Sequence, residues 1–305
     1  MNNTLSNAQL VRKLQSLSRA AASLVILIGC IVIAGWIFHI EILKSLLPGL
    51  TTMKFNTALG FILAGSGVLT LHTRPRLTQV IASALLLLAL SSLSQYLFQW
   101  NLNIDEFFVR DLTAAPNTFP GRMSVVTAVN FSLTSGALLL ITRRRYGFAQ
   151  ITMIGVAFFS FLVLLGYFYN VEALYGVFIF TSVALHTAVA FVLLSLGLVF
   201  AYPDHGIVAI FSFNSAGGYV VRRLLPQVTL IPVIAGWLRW QGELYGLYHT
   251  GFGLAFYTLA NVVILGLVTA YIAHLLHNSD MERVSALESL RHANENLESG
   301  ARAHA

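Results

Sequence analysis

Charge is what this sequence lacks most. Of its 305 residues only 10% are Asp, Glu, Lys or Arg, whereas 57% are apolar and the mean hydropathy is +0.76. A soluble domain carries about a quarter charged residues, so the chain reads as an integral membrane protein. Its net charge of +6 is then a matter of topology and not of nucleic-acid binding, because in membranes the positions of Lys and Arg set orientation. Cysteine is nearly absent as well. The single Cys30, inside an apolar run, excludes an intramolecular disulfide and a Cys-based metal motif, and reads as a small core residue. No short apolar run with a small-residue cleavage site opens the chain, so no cleaved signal peptide is expected. The apolar stretches contain no series of acids, which argues against a proton-coupled transporter. Phosphate-binding glycine loops, nucleophile elbows and paired catalytic carboxylates are missing too, and no enzyme active site is expected.

What is present is a series of apolar runs. Residues 1–19 are polar, with Arg12, Lys13 and Arg19 and no acid; they read as a cytoplasmic leader. Eight spans follow, at Ala20–Ile40, Lys54–Leu71, Gln79–Gln99, Met123–Thr142, Ala149–Tyr169, Thr181–Tyr202, Leu224–Trp240 and Thr250–His274. Each is near the ~20 residues that a helix needs to cross hydrocarbon, the seventh being short. The fold class expected is therefore all-α and membrane-integral, with an eight-helix domain over residues 20–276 and a cytoplasmic helix or linker over 277–305. Between the third and fourth spans lies the longest outer loop, Trp100–Arg122, containing IDEFFVRD (Ile104–Asp111), an amphipathic piece suited to the interface. Asp204–Arg223 reads as an inner connection, in part an interfacial helix.

With both termini inside, thirteen of the Lys and Arg residues fall on inner segments and five (Lys44, Lys54, Arg110, Arg122 and Arg239) on outer ones, the bias of the positive-inside rule. Trp36, Trp100, Trp237 and Trp240 then all lie at the outer interface, as half of an aromatic belt. This pattern predicts a multi-pass membrane protein with both termini cytoplasmic.

An internal repeat runs through the spans. TALGFILAG (Thr57–Gly65), TAVNFSLTS (Thr127–Ser135) and TAVAFVLLS (Thr187–Ser195) share T-A-x-x-F-x-x-x-[GS], with a looser copy from Thr258 through Val262 to Gly266. The copies are 70, 60 and 71 residues apart, which predicts a helical hairpin used four times. Small residues four apart let helices approach closely, so helix packing is one reading. The other is that Asn56, Thr57, Thr127, Asn130, Thr187 and Asn261 line a central polar pocket, asparagine in a span being costly without a partner.

Several polar groups are candidates for binding. His39, His186 and His249 fall near the outer face, where imidazoles from different helices either anchor the interface or converge on a metal or haem. No H-x-x-x-H spacing supports a shared metal site, and the cofactor is left open. Arg239 and Glu243, four apart beside Trp237, pair if that turn is helical. They then either anchor the span or hold a polar ligand. Asp105, Glu106, Arg110, Asp111 and Arg122 in the long outer loop read as lid, ligand clamp or solvated charge. Gly217–Gly253, with Arg222 and Arg223 at its start, reads as a crossing in which Pro226 suits the first turn and Pro232 a kink.

From Asp280 the chain becomes charged and helix-favouring. Leu287, Leu290, Asn294 and Leu297 follow 3-4-3 spacing, and an Asn at an a-like position suits a parallel two-stranded coil and hence a homodimer. A solvated amphipathic helix end is the alternative.

Taken with MKFNTALGFILAG, IDEFFVRD, PGRMSVVTAVNF, ALHTAVAF, YPDHG, GGYVVRRLLP and GWLRWQGELYGLYHTGFG, the chain resembles the multi-span N-terminal sensor region of bacterial PAS-containing histidine kinases and some diguanylate cyclases. The resemblance covers residues 20–280 and implies a two-component sensor domain whose last helix drives a cytoplasmic output module in cis, beyond residue 305. It assigns no ligand. Two further readings stand beside it: a transporter or lipid-handling protein, favoured by the repeats, and a haem- or quinone-binding redox protein.

Overall fold

Three helices of this chain begin in the same way. Lys54, Ser124 and Ala184 each hold an extended N-cap conformation, with φ of −73°, −65° and −65° and ψ of 154°, 155° and 147°. The carbonyl of each then accepts the first helical hydrogen bond, from Ala58, Ala128 and Ala188 at 3.0–3.1 Å. In every case the motif threonine follows three residues later and the motif phenylalanine four residues after that, one turn deeper. The repeat read from sequence is thus a repeat of backbone geometry.

The computed structural model describes residues 2–46, 50–112, 119–169, 183–209, 216–274 and 288, and among them it is helical with no strand. The helices are α1 (Asn2–Ile37), α2 (Glu41–Ser45), α3 (Phe55–Thr70), α4 (Pro75–Leu97), α5 (Val125–Thr142), α6 (Tyr146–Phe168), α7 (Leu185–Val199), α8 (Ala216–Leu244) and α9 (Thr250–His274). The chain divides into two compact units, Met1–Phe213 and Asn214–Ala305.

In the first unit, α3, α5 and α7 touch one another at the centre. Around them α1 bridges α3 and α7, α4 bridges α3 and α5, and α6 bridges α5 and α7. The three motif phenylalanines meet on the axis of this arrangement. Phe61–Phe131, Phe61–Phe191 and Phe131–Phe191 have ring centroids 4.9, 4.7 and 4.8 Å apart at steep interplanar angles of 66°, 62° and 54°, the edge-to-face geometry that aromatic quadrupoles favour. Each ring is at most 1% exposed. The room for them comes from small neighbours. A Cβ at Gly60 would stand 2.7 Å from the Phe131 ring, and one at Gly65 would stand 2.8 Å from the Ala22 carbonyl of α1.

Among the described residues five helices are long and apolar enough to cross a membrane: Gln9–Ile37 of α1, Pro75–Leu97, Val125–Thr142, Tyr146–Phe168 and Thr250–His274. The central α3 and α7 are apolar but have 16 and 15 residues, about 23 Å of rise against ~30 Å of hydrocarbon. Extended backbone precedes each of them, and it is shielded by protein: Met53, Val183 and Ala184 are buried, the condition under which non-helical chain is tolerated at membrane depth.

Several sequence expectations are corrected. Polar residues of the leader belong to α1, which is helical from Asn2. Trp36 is no belt residue; it is buried and donates Nε1–H to the Met53 carbonyl at 2.9 Å. Cys30 is exposed on α1 and not in the core. Pro226 does not occupy a first turn, because α8 starts at Ala216 and contains both Pro226 and Pro232. The fourth copy of the repeat is not equivalent to the others: Thr258 lies inside α9, its hydroxyl bonded back to Leu254 at 2.9 Å, in the second unit.

The aromatic triad sets a stability test. Within lipid the transfer part of a core substitution is small, leaving the packing part. Phe131→Ala should therefore cost about 2 kcal/mol, roughly half of the ~3–5 kcal/mol typical of soluble cores. Thermal unfolding in detergent micelles measures this, with the exposed Phe158→Ala expected near wild type.

Candidate functional site

Two ion pairs of the first unit, Arg122–Asp105 and Lys54–Asp111, lie at the end where α3 and α5 begin. Arg122, next to the N-cap of α5, is 3% exposed, and its Nε donates to Asp105 Oδ2 at 2.7 Å. Its Nη2 donates to Gln95 Oε1 at 3.2 Å. Gln95, wholly buried in α4, also accepts from Leu102 N at 2.9 Å and donates its Nε2 to Asp105 Oδ1 at 3.1 Å. The guanidinium carbon sits 4.3 Å from the Phe119 ring centroid and 5.3 Å from that of Tyr96, while Tyr96 donates to the Met123 carbonyl at 2.9 Å.

A second pair lies beside the first. Lys54 Nζ reaches Asp111 Oδ2 at 2.6 Å, and the same oxygen accepts from Gly121 N at 3.1 Å. Gly121 is required here: its φ is +67°, and a Cβ would stand 2.5 Å from the Asp105 carbonyl oxygen. Asn56 closes the network by donating to the Ile104 carbonyl at 2.8 Å. IDEFFVRD is therefore a series of turns that turns Asp105 and Asp111 inward and leaves Phe107 and Phe108 exposed. Phe108 stacks on Phe55, with centroids 5.2 Å apart. Three segments far apart in sequence, MKFN, IDEFFVRD and PGRM, become one clasp. Against it lies a cavity of about 260 Å³, lined by Asn101, Asn103, Asp105, Glu106, Phe119, Pro120 and Arg122. Such a volume with paired charges at its wall suits a small polar molecule.

The opposite end is built on Gln150, buried in α6. Its Oε1 accepts from Ile207 N at 2.7 Å and Val208 N at 3.3 Å, and its Nε2 donates to the His205 carbonyl at 3.0 Å. Tyr202 lies between His72 and Tyr146, at centroid distances of 4.4 and 4.7 Å. Partial burial pushes the His72 imidazole below its ordinary 6.5; the Arg19 charge acts in the same sense, against the Ala201 backbone and Asp204. Burial, with Tyr146 and Asp204 nearby, pushes the Tyr202 hydroxyl up.

The residues singled out in the sequence make separate hydrogen bonds. Asn56 joins the clasp. Thr127 forms the α5 cap, its N–H donating to Ser124 Oγ at 3.2 Å. Asn130 reaches Ser160 Oγ at 3.4 Å, and Asn261 bonds within its own helix to Tyr257. Thr57 and Thr187 are buried beside the triad. The cavity beside the clasp is lined by none of Thr57, Thr127, Asn130 and Thr187. His186 is 5% exposed. His39 lies in the turn after α1 with φ of 56°. Among the described residues no group of three or more His, Cys, Asp or Glu is placed to hold a metal ion.

In the second unit Arg239 and Glu243 do pair, at 3.0 Å. Thr250 donates to Glu243, and Tyr248 donates to the Arg239 carbonyl at 2.9 Å. These bonds close the α8–α9 turn; His249 is exposed there, and Trp237 is 36% exposed. Leu287, Leu290, Asn294 and Leu297 lie outside the described residues. Sequence reasoning missed Gln95 and Gln150, although an amide inside an apolar span carries the same signal as the asparagines. Comparison with family models, curated proteins and solved structures finds no match.

Two outcomes follow. Arg122→Gln strands the buried Asp105 carboxylate and should cost ~3–5 kcal/mol, with Asp105→Asn added to it recovering part of the loss; a double-mutant cycle of melting temperatures measures this coupling. The lowered His72 pKa means that folding favours its neutral form, so its contribution is complete above 6.5 and is lost as pH falls below that value. A melting-temperature series across this range, compared with His72→Gln, checks the sign.

Proposed function

We propose that this chain is a membrane-embedded sensory input domain, with the outer clasp and its cavity as the place where a small polar stimulus acts. One observation carries the reading: the segments MKFN, IDEFFVRD and PGRM, separate in sequence, supply Lys54, Asp105, Asp111 and Arg122 to one largely buried ion-pair network beside a cavity. Buried, paired ionisable groups at the wall of a cavity are candidates for a functional site. In this reading the chain crosses the bilayer eight times as helical hairpins, with both termini cytoplasmic, in keeping with thirteen basic residues on one side and five on the other. The membrane is a bacterial inner membrane.

The division of the chain supports the output route. α8 and α9 belong to a unit of their own, and α9 leads toward the charged segment whose heptad-like leucines pair two copies. A ligand shifts such a system only by its difference in affinity for two arrangements, and the output is a histidine kinase or similar module in cis. The protein itself is not an enzyme in this scheme.

A kinase module fused in frame after Ala305 tests the route. Leu290→Pro should abolish regulated output while leaving membrane insertion intact. Output unchanged by Leu290→Pro overturns the proposal, and solute flux across proteoliposomes containing the unfused chain would favour a transporter instead.

A further inference from the structure

The turn between α5 and α6 consists of three arginines, Arg143, Arg144 and Arg145. Its backbone is closely tied: Arg143 N bonds to the Leu139 and Leu140 carbonyls, Arg144 N to Ile141 at 2.8 Å, and Arg145 N to Leu140 at 2.9 Å, with Arg144 at φ of +60°. The side chains are exposed, and none of the three has an ion-pair partner among the described residues. Lys54 and Arg122 at the other end are paired, so the two ends of the bundle differ in kind.

Arg144 and Arg145 border a cavity of about 400 Å³, lined also by Tyr146, Gly147, Phe148, Ile151, His205 and Gly206. Its roof is fixed. The buried Gln150 amide binds the backbone of His205, Ile207 and Val208, and Gly206 passes over the start of α6 at φ of +67° so closely that a Cβ there would strike Gln150 Oε1. His205 packs on Tyr146, with centroids 4.6 Å apart, and its Nδ1 lies 2.9 Å from Asp204 Oδ1. The first-turn amides of α6 have no intrahelical acceptor, and Arg145 at the N-cap supplies no side-chain bond to them. Two exposed guanidinium groups and a helix N-terminus thus border the same space, and both kinds of group favour an anion with several oxygens; His205 lines it with its Nδ1 held by Asp204.

What lies along the helix from this cavity is apolar. Phe148 and Ile151 are 63% and 56% exposed, and Phe158 and Phe159 continue the exposed apolar surface of α6 at 65% and 53%. A soluble phosphate has no use for such a surface, whereas a phospholipid needs both parts: a cationic pocket for the headgroup and an apolar flank for the acyl chain.

We propose that this pocket binds the phosphate headgroup of an anionic phospholipid, with the acyl chains lying along α6. The inference rests on placement of the bundle in a bilayer and not on the sensory reading, so either can fail without the other.

The full chain in detergent micelles is titrated with pyrene-labelled phosphatidylglycerol, with phosphatidylcholine of the same acyl length as the zwitterionic arm and inorganic phosphate as the soluble arm. Phosphatidylglycerol should bind saturably and in preference to phosphatidylcholine, and inorganic phosphate should not displace it. Removing a basic side chain at a membrane surface weakens an anionic lipid about 5-fold, so Arg144→Gln with Arg145→Gln together should weaken binding roughly 30-fold. The single Arg145→Gln, expected to show about a 5-fold loss, serves if the double variant does not fold. Arg74→Gln with Arg76→Gln, a basic pair at the same end, should bind like wild type. Equal binding of the two lipids, or an equal loss from the Arg74 and Arg76 pair, would mean diffuse surface attraction and overturn the proposal. Full affinity in the Arg144 and Arg145 variants, or displacement by inorganic phosphate, would overturn it as well.

Discussion

The contact on which the bundle depends is the meeting of Phe61, Phe131 and Phe191. Lipid is as apolar as phenylalanine, so inside a bilayer the hydrophobic effect gives these helices little reason to associate; packing must do it. Three rings with centroids within 4.9 Å supply dense dispersion contact and favourable quadrupole geometry at one point. They also fix the depth of α3, α5 and α7 relative to one another, because each ring is tied to its helix by the same N-cap and the same number of residues. A slip of one residue on any helix would rotate its ring out of the triad by about 100°. Small residues then bring α1 in, with Gly29 against the Ala58 carbonyl of α3 and Gly65 against the Ala22 carbonyl of α1.

This common depth is what permits the clasp. Because α3 and α5 start level, Lys54 and Arg122 stand beside each other and receive Asp111 and Asp105 from one intervening loop. Their burial is offset by full hydrogen bonding, in which Gln95 serves both partners of the Arg122–Asp105 pair. At the other end the same levelling places the turn after α3, the turn after α5 and the loop after α7 together, so that His72, Tyr146 and Tyr202 stack. The two ends differ: Lys54 and Arg122 at one end are neutralised within the protein, whereas the arginines of the α5–α6 turn have no ion-pair partner among the described residues.

How much of this was legible can be judged residue by residue. The repeat pointed to α3, α5 and α7 because T-A-x-x-F is a local pattern on one helix face, and local patterns survive in sequence. The pairing of Arg239 with Glu243 was legible for the same reason, as neighbours on one helical turn. Gln95 was not. Its role comes from Asp105 and Arg122, ten and twenty-seven residues away, and nothing in the spacing specifies that contact. IDEFFVRD read as an interfacial piece since its alternation of charge and phenylalanine suits a surface; its aspartates turned inward because cations were waiting there. Trp36 read as a belt residue and is instead core, since the segment leading into α3 passes over it. Cys30 went the other way, because one side of α1 packs on nothing in its unit.

The sequence by itself determined the solvent and the secondary structure. A chain with so few charges and such long apolar runs satisfies its backbone in lipid by forming helices, and its described apolar runs are helical. Sequence also determined the repeat, and with it which rings were alike. Tertiary structure alone decided that those rings meet and that the charged loop closes over the ends of α3 and α5. The physical reason is range. Helix formation and hydropathy are settled within a few residues, whereas the triad and the clasp are contacts between segments dozens of residues apart, whose partners exist only once the bundle has set their depth.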